Sequence, residues 1–166
     1  GEANTAPPVG ANAGVTIDAR SLNAQSSFEY QGRWGAGQTA DRFIMSDANI
    51  NGLAHIDGGA VLGGGNAPSG NFNQDVLEIR NAAVVTIGDL ANVQNVGTLE
   101  FTNDTASIQN SLLELDNATV DALVNSSQTA SATSTETLTI RAVDNVVVPA
   151  AHTVLTVDAT QVTNAG

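Results

Sequence analysis

The residues with most chemistry to offer lie in one stretch, 54–81, which reads Ala-His-Ile-Asp-Gly-Gly-Ala-Val-Leu-Gly-Gly-Gly-Asn-Ala-Pro-Ser-Gly-Asn-Phe-Asn-Gln-Asp-Val-Leu-Glu-Ile-Arg-Asn. Between the apolar pulses at Ile56 and at Val76, Leu77 and Ile79, most positions are glycine, asparagine or aspartate. Backbone of that composition turns tightly and presents its own carbonyl oxygens. Asp57, Gly58, Gly59 and Asp75 are therefore candidate oxygen ligands for a hard cation, two carboxylates with glycine carbonyls to complete the shell. A second reading is equally open at this point: Asp57 caps a turn, and the glycines only satisfy positive φ.

The charge balance favours cations as partners. Seventeen acidic residues face five basic ones, for a net charge of −12. All five are arginines (Arg20, Arg33, Arg42, Arg80 and Arg141), so the chain has no lysine. Nucleic acid and anionic membrane surfaces both require basic clusters to neutralise phosphate, and none is present. The absence of cysteine removes thiolate nucleophiles, zinc-thiolate sites and disulfides. No apolar run approaches the roughly 20 residues that cross a bilayer, so membrane insertion is not expected. Without lysine there is no phosphate loop, and no Gly-x-Ser-x-Gly elbow occurs. His55 and His152 are far apart and outside any zinc-binding spacing, and read as structural. The expectation is a protein that is not an enzyme.

Two further groups have chemistry of their own. Trp34 and Tyr30, flanking Arg33, are placed to stack on a sugar ring or a partner surface, with core packing as the competing role. Asp18 and Asp158 each precede an alanine in a matched pair, Thr16-Ile17-Asp18-Ala19 and Thr156-Val157-Asp158-Ala159, and read as hydrogen-bonding the turn that follows.

The elements that must position these residues are strands. Residues 15–19 and 28–30 alternate apolar and polar, and residues 42–45 form another apolar pulse. The pair apolar-x-apolar then recurs five times, at Leu77-x-Ile79, Leu99-x-Phe101, Leu113-x-Leu115, Leu138-x-Ile140 and Leu155-x-Val157. Turn formers such as Asn81, Asp89, Asn95, Asp104 and Asn117 separate the pulses. Leu, Ile and Val dominate while aromatics stay at 4%, as in parallel strands buried on both faces. Val120, Leu123 and Val124 have helical spacing within residues 119–127, where a helical turn or two competes with a strand or corner loop. Residues 1–14, small and with a proline pair, read as an extended linker or arm. They carry no basic start and no apolar stretch, which predicts a mature fragment or export by a signal elsewhere.

Asp57-Gly58-Gly59 and Asp75-x-Leu77 together resemble a stretched form of the glycine- and aspartate-rich nonapeptide of the haemolysin-type (RTX) calcium-binding repeat proteins, with residues 60–74 inserted. Bacterial surface-layer and giant adhesin modules share this punctuation. Asp41 and Asp47 form a weaker pair, because Asp41-x-Phe43 is similar to the repeat's Asp-x-Leu step without its glycines. The resemblance implies an all-β fold, a parallel β-solenoid of the β-helix or β-roll type with irregular corner loops. It also implies Ca²⁺ as the bound ion and a secreted, extracellular or cell-surface bacterial location. The reading is then a structural module in residues 15–166, one unit of a tandem or polymeric array. It would be stiffened by Ca²⁺ and associate head to tail into a filament, surface layer or adhesin stalk. The alternatives are a module binding a cell-surface glycan through residues 31–40 and, third, a polysaccharide-acting enzyme.

Overall fold

Residues 14–23, 28–31, 40–51, 53–58, 75–105, 107–124, 137–144 and 152–163 are described by the structure, a computed structural model. The strands are β1 (Thr16–Asp18), β2 (Phe28–Gln31), β3 (Arg42–Ser46), β4 (Ala54–Asp57), β5 (Val76–Arg80), β6 (Val84–Val85), β7 (Val93–Gln94), β8 (Thr98–Thr102), β9 (Gln109–Asp116), β10 (Thr139–Val143) and β11 (Thr153–Gln161). One helix, α1 (Asn117–Val124), follows β9 directly. They form a five-stranded sheet in the order β1-β3-β5-β8-β10 and two three-stranded sheets, β2-β4-β7 and β11-β9-β6.

Each pairing among the described residues is parallel. In the large sheet the register runs straight across: Ile17, Phe43, Leu77, Leu99 and Ile140 make one row, and Asp18, Ile44, Glu78, Glu100 and Arg141 the next. Period-two alternation sends the first row inward, where Leu77 and Leu99 are fully buried. Ile56 and Val93 from the second sheet and Val85, Leu113 and Leu115 from the third complete the same core.

The helix exists because both of its ends are satisfied. Asp116 accepts the Thr119 N–H at 2.7 Å, an N-cap that also holds the Asp116 carboxyl below its usual range through the Thr119 hydrogen bonds. At the other end, the carbonyls of Ala122 and Leu123 accept the N–H groups of Asn95 and Val96 at 2.9 and 2.8 Å. Asn95 reaches them with φ at 56°, in the left-handed region that asparagine tolerates better than most residues. Leu123 then sits fully buried. Of the two readings open for residues 119–127, the helical one holds over Asn117–Val124, starting two residues earlier than the spacing indicates.

The solenoid expectation is corrected. The described strands form three small separate parallel sheets rather than a closed or solenoidal coil, so the fold is strand-rich and parallel at the coarser level only. The apolar-x-apolar pairs explain the error, for they do not occupy one continuous ladder. Leu77-x-Ile79 and Leu99-x-Phe101 are true neighbours in the large sheet, but Leu113-x-Leu115 lies in another. Leu155-x-Val157 is slipped by two residues against it, since Leu155 faces Ser111 and Val157 faces Leu113. Val157, although opposite the buried Leu113, is itself 42% exposed. Strands of two residues, β6 and β7, are also too short to carry a repeated face.

Residues 1–13 of the expected arm lie outside the described residues. Leu77→Ala is expected to lower stability by roughly 2–5 kcal/mol through the cavity it leaves. Asp116→Ala should cost only about 1 kcal/mol through the lost cap. Urea titration of both variants checks the order.

Candidate functional site

Asp41 and Asp75 occupy the same position in successive strands, each one residue before a register partner, Arg42 or Val76. This repetition builds a ladder of carboxylates. Asp41 Oδ1 accepts the N–H of Val15 at 2.7 Å, and Asp75 Oδ1 accepts the N–H of Asp41 at 2.6 Å. At the next strand the position is Gly97, which offers no carboxylate to continue it. Tyr30 donates its hydroxyl to Asp41 Oδ2 at 2.8 Å, and its ring meets Phe43 edge-on with centroids 4.8 Å apart.

Asp57 ends β4 and comes to the same corner. Its two oxygens accept the Gln94 Nε2 at 2.9 Å and the Asn95 Nδ2 at 2.6 Å. Gly58 permits the approach: a Cβ there would lie 2.1 Å from the Asn95 carbonyl oxygen and 2.5 Å from Asp75 Oδ2. No side chain fits, so this glycine serves close packing. Burial pushes the Asp75 carboxyl up to about 7, and the negative charges of Asp41 and Asp57 add to the shift, while the hydrogen bond from the Asp41 N–H works against it.

The fold thus brings together Asp41, Asp57, Gly58 and Asp75. Asp47 is elsewhere, exposed in the turn at the far end of β3 from Asp41. The five residues of β3 separate the two carboxylates by roughly 16 Å or more, too far for one ion. Gly59, Arg33 and Trp34 lie outside the described residues. As a test of fit for Ca²⁺, both oxygens of Asp41 and of Asp57 already accept protein donors, and among the described residues no three carboxylate or imidazole groups converge on one point. The corner is a set of hydrogen-bonded carboxylates with excess negative charge rather than a complete oxygen shell.

Beside it, the outer face of β2, β4 and β7 forms a groove of about 240 Å³, with Glu29, His55, Asp57, Asn92 and Gln94 among its lining residues. Glu29 and His55 are register partners, both exposed.

The arrangement that sequence reasoning missed is on the outer face of the large sheet. Glu78 and Glu100 are directly opposite each other and buried, at 1% and 4% exposure. Three arginines hold them there. Arg42 reaches Glu78 at 2.7 Å and also contacts Glu100, Arg141 reaches Glu100 at 2.6 Å, and Arg80 contacts Glu78. Asp104 joins Arg80 at 3.1 Å to Arg20 at 3.2 Å, and Arg20 pairs with Asp18 at 2.6 Å. That last hydrogen bond holds the Asp18 carboxyl down to about 2. Asp18 and Asp158 do bond the turns that follow them, accepting the N–H groups of Arg20 and Thr160 at 3.1 and 3.0 Å. A signal for the network was present in the charged middle residues of Leu77-Glu78-Ile79 and Leu99-Glu100-Phe101 and in the flanking arginines.

The sequence matches no known family model, and comparison with curated proteins and with solved structures finds no significant match.

Two outcomes follow from these charges. Asp75 binds its proton more tightly in the folded chain, so between pH 4 and about 7 the unfolded chain releases a proton that the folded chain keeps. Stability from this group is present at pH 4 and is lost as pH rises through about 7. Asp75→Asn should remove that slope in urea titrations between pH 4 and 8, and an unchanged slope would refute the assignment. Arg42→Met leaves two buried glutamates facing each other and is expected to cost on the order of 3 kcal/mol. Adding Glu100→Gln should recover part of that loss in the same assay.

Proposed function

We propose that this chain is a structural module of a secreted bacterial surface assembly, such as a filament, surface layer or adhesin stalk, joined to its neighbours through open strand edges. The observation that carries the reading is β11. It is nine residues long, the longest strand described, and among the described residues β9 is its one hydrogen-bonded strand partner, at the edge of that sheet. It exposes Val154 at 50% and Val157 at 42%. Among the described residues no further strand pairs with this edge, and from Thr153 to Asp158, before the register shift that ends at Gln161, it carries neither lysine nor proline, which leaves a template for another strand. A heterologous contact of this kind does not close on itself and gives fibres or layers. No catalytic step is part of the proposal.

Ca²⁺ belongs to the proposal at the Asp57 and Asp75 corner, supported by the carboxylates that meet there. A divalent cation would relieve their repulsion and should raise the melting temperature at millimolar concentration. A melting curve unmoved by Ca²⁺ and by EGTA would remove the ion from the reading.

One observation favours a second role, binding of a cell-surface glycan. The groove of Glu29, His55, Asn92 and Gln94 offers carboxylate, imidazole and amide groups suited to hydroxyl-rich ligands. A glycan array separates the two readings.

Light scattering should show particles heavier than one chain, growing with concentration. Val154→Lys with Val157→Lys places charge on exposed positions of the edge and should lower particle mass while leaving the circular dichroism spectrum unchanged. A parent protein that remains monomeric at its highest soluble concentration would overturn the assembly reading.

A further inference from the structure

The two edges of the five-stranded sheet carry nearly the same sequence in the same register. At one edge β1 and the residue after it read Thr16-Ile17-Asp18-Ala19; at the other, β10 begins Thr139-Ile140-Arg141-Ala142. Thr16 and Thr139 stand in one row across the sheet, Ile17 and Ile140 in the next, and Asp18 and Arg141 in the third. The single difference is a negative charge at one edge and a positive charge at the other.

The hydrogen bonding steps across the sheet by one repeated rule. Arg42 N–H bonds Val15 O, Val76 N–H bonds Asp41 O, Thr98 N–H bonds Asp75 O and Thr139 N–H bonds Gly97 O, at 2.8 to 3.0 Å. In each case the first residue of the row bonds the carbonyl one position earlier in the strand before. One more step would place the N–H of Thr16 on the carbonyl of Leu138.

We propose that the partner at this sheet is a second copy of the chain, whose β1 adds in parallel to β10 in the register that sets Thr16 beside Thr139, Ile17 beside Ile140 and Asp18 beside Arg141. This rests on the assembly reading above and specifies one joint of it. Three features of the isolated chain fit the joint. The inward row is fully buried at Leu77 and Leu99 but only partly covered at its ends, Ile17 and Ile140. Joining copies would bury both ends, which is the coverage the apolar row lacks. Arg141 is half exposed, at 49%, while pairing with Glu100, and Asp18, although bonded to Arg20 within its own copy, is 44% exposed, so the joint sets Asp18 between two guanidinium groups. The reverse pairings, β1 on β1 or β10 on β10, keep the apolar row on one face only if the strands run antiparallel, unlike the described pairings, and bring two like-charged edges together without a counter-charge. Only the head-to-tail arrangement satisfies both charge and direction, and repeated, it extends the sheet without closing.

The chain contains no cysteine, which makes the register directly testable. Neighbouring strands lie about 4.8 Å apart, within the span a disulfide bridges. Thr16→Cys with Thr139→Cys changes two exposed positions and keeps both charges. Under mild oxidation it should give a ladder of covalent multimers on a non-reducing gel. Leu22→Cys with Thr139→Cys, also exposed but far out of register, is the control and should give several-fold less. Arg141→Gln in the uncrosslinked protein should lower particle mass at fixed concentration. If the in-register variant crosslinks no better than the control while light scattering still reports particles, this joint is wrong and the broader assembly reading stands. If the unmodified protein is monomeric at its highest soluble concentration, both fall.

Discussion

Arg42 is the tie on which the large sheet depends. Its guanidinium contacts Glu78 and Glu100, binding β3 to β5 and β8 across strands that share no chain connection at that point. Two glutamates facing each other at close range in buried surroundings would drive the strands apart, and a carboxylate taken out of water without a partner is among the most costly groups a fold can bury. Arginine suits the place because its planar fork serves two carboxylates at once, which a lysine ammonium does less well. The network also fixes register. A slip of one residue would turn Leu77, Ile79, Leu99 and Phe101 outward and drive Glu78 and Glu100 into the apolar core.

The other face of the problem appears at the corner of Asp41, Asp57 and Asp75, where the donors described are neutral. There the carboxylates are matched with backbone N–H groups, a tyrosine hydroxyl and two side-chain amides. Those donors satisfy hydrogen bonding without cancelling charge. The result is an aspartate that holds its proton far above the usual carboxylate range, while the glutamates of the large sheet stand among guanidinium groups. Two sets of buried acids in one small protein are therefore stabilised by different means, counter-ions in one case and neutral donors in the other.

Much of this was legible in the residues, though unevenly. The alternations at residues 15–19 and 28–30 and the apolar pulses located most of the strands, though not the two-residue β7; the spacing of Val120, Leu123 and Val124 left a helix level with a strand or loop; and glycine and aspartate chemistry singled out Asp57, Gly58 and Asp75, which do meet. What the sequence hid was which strands share a sheet. Parallel partners are separated by long connections, 34 residues between Asp41 and Asp75, and connection length carries no record of register. Asp41 was paired with Asp47 because they are near in sequence, whereas its true neighbour is Asp75 in the adjacent strand. Glu78 and Glu100 were passed over because a charge between two apolar residues reads as solvent-facing, and only their alignment with Arg42 and Arg141 buries them.

The long spans between partner strands also bear on how the chain reaches its native state. Residues 75–116 hold β5 to β9 in near succession, so their contacts close short loops and can form first. The outer strands must search farther: β10 bonds β8 across 41 residues, and β11 meets β9 across a comparable gap. Closing such loops is slow, and during synthesis these segments leave the ribosome after β5 to β9. In the proposed joint β1 is made early but its acceptor edge on β10 is completed late, so two unfinished chains each lack the half that the other would need.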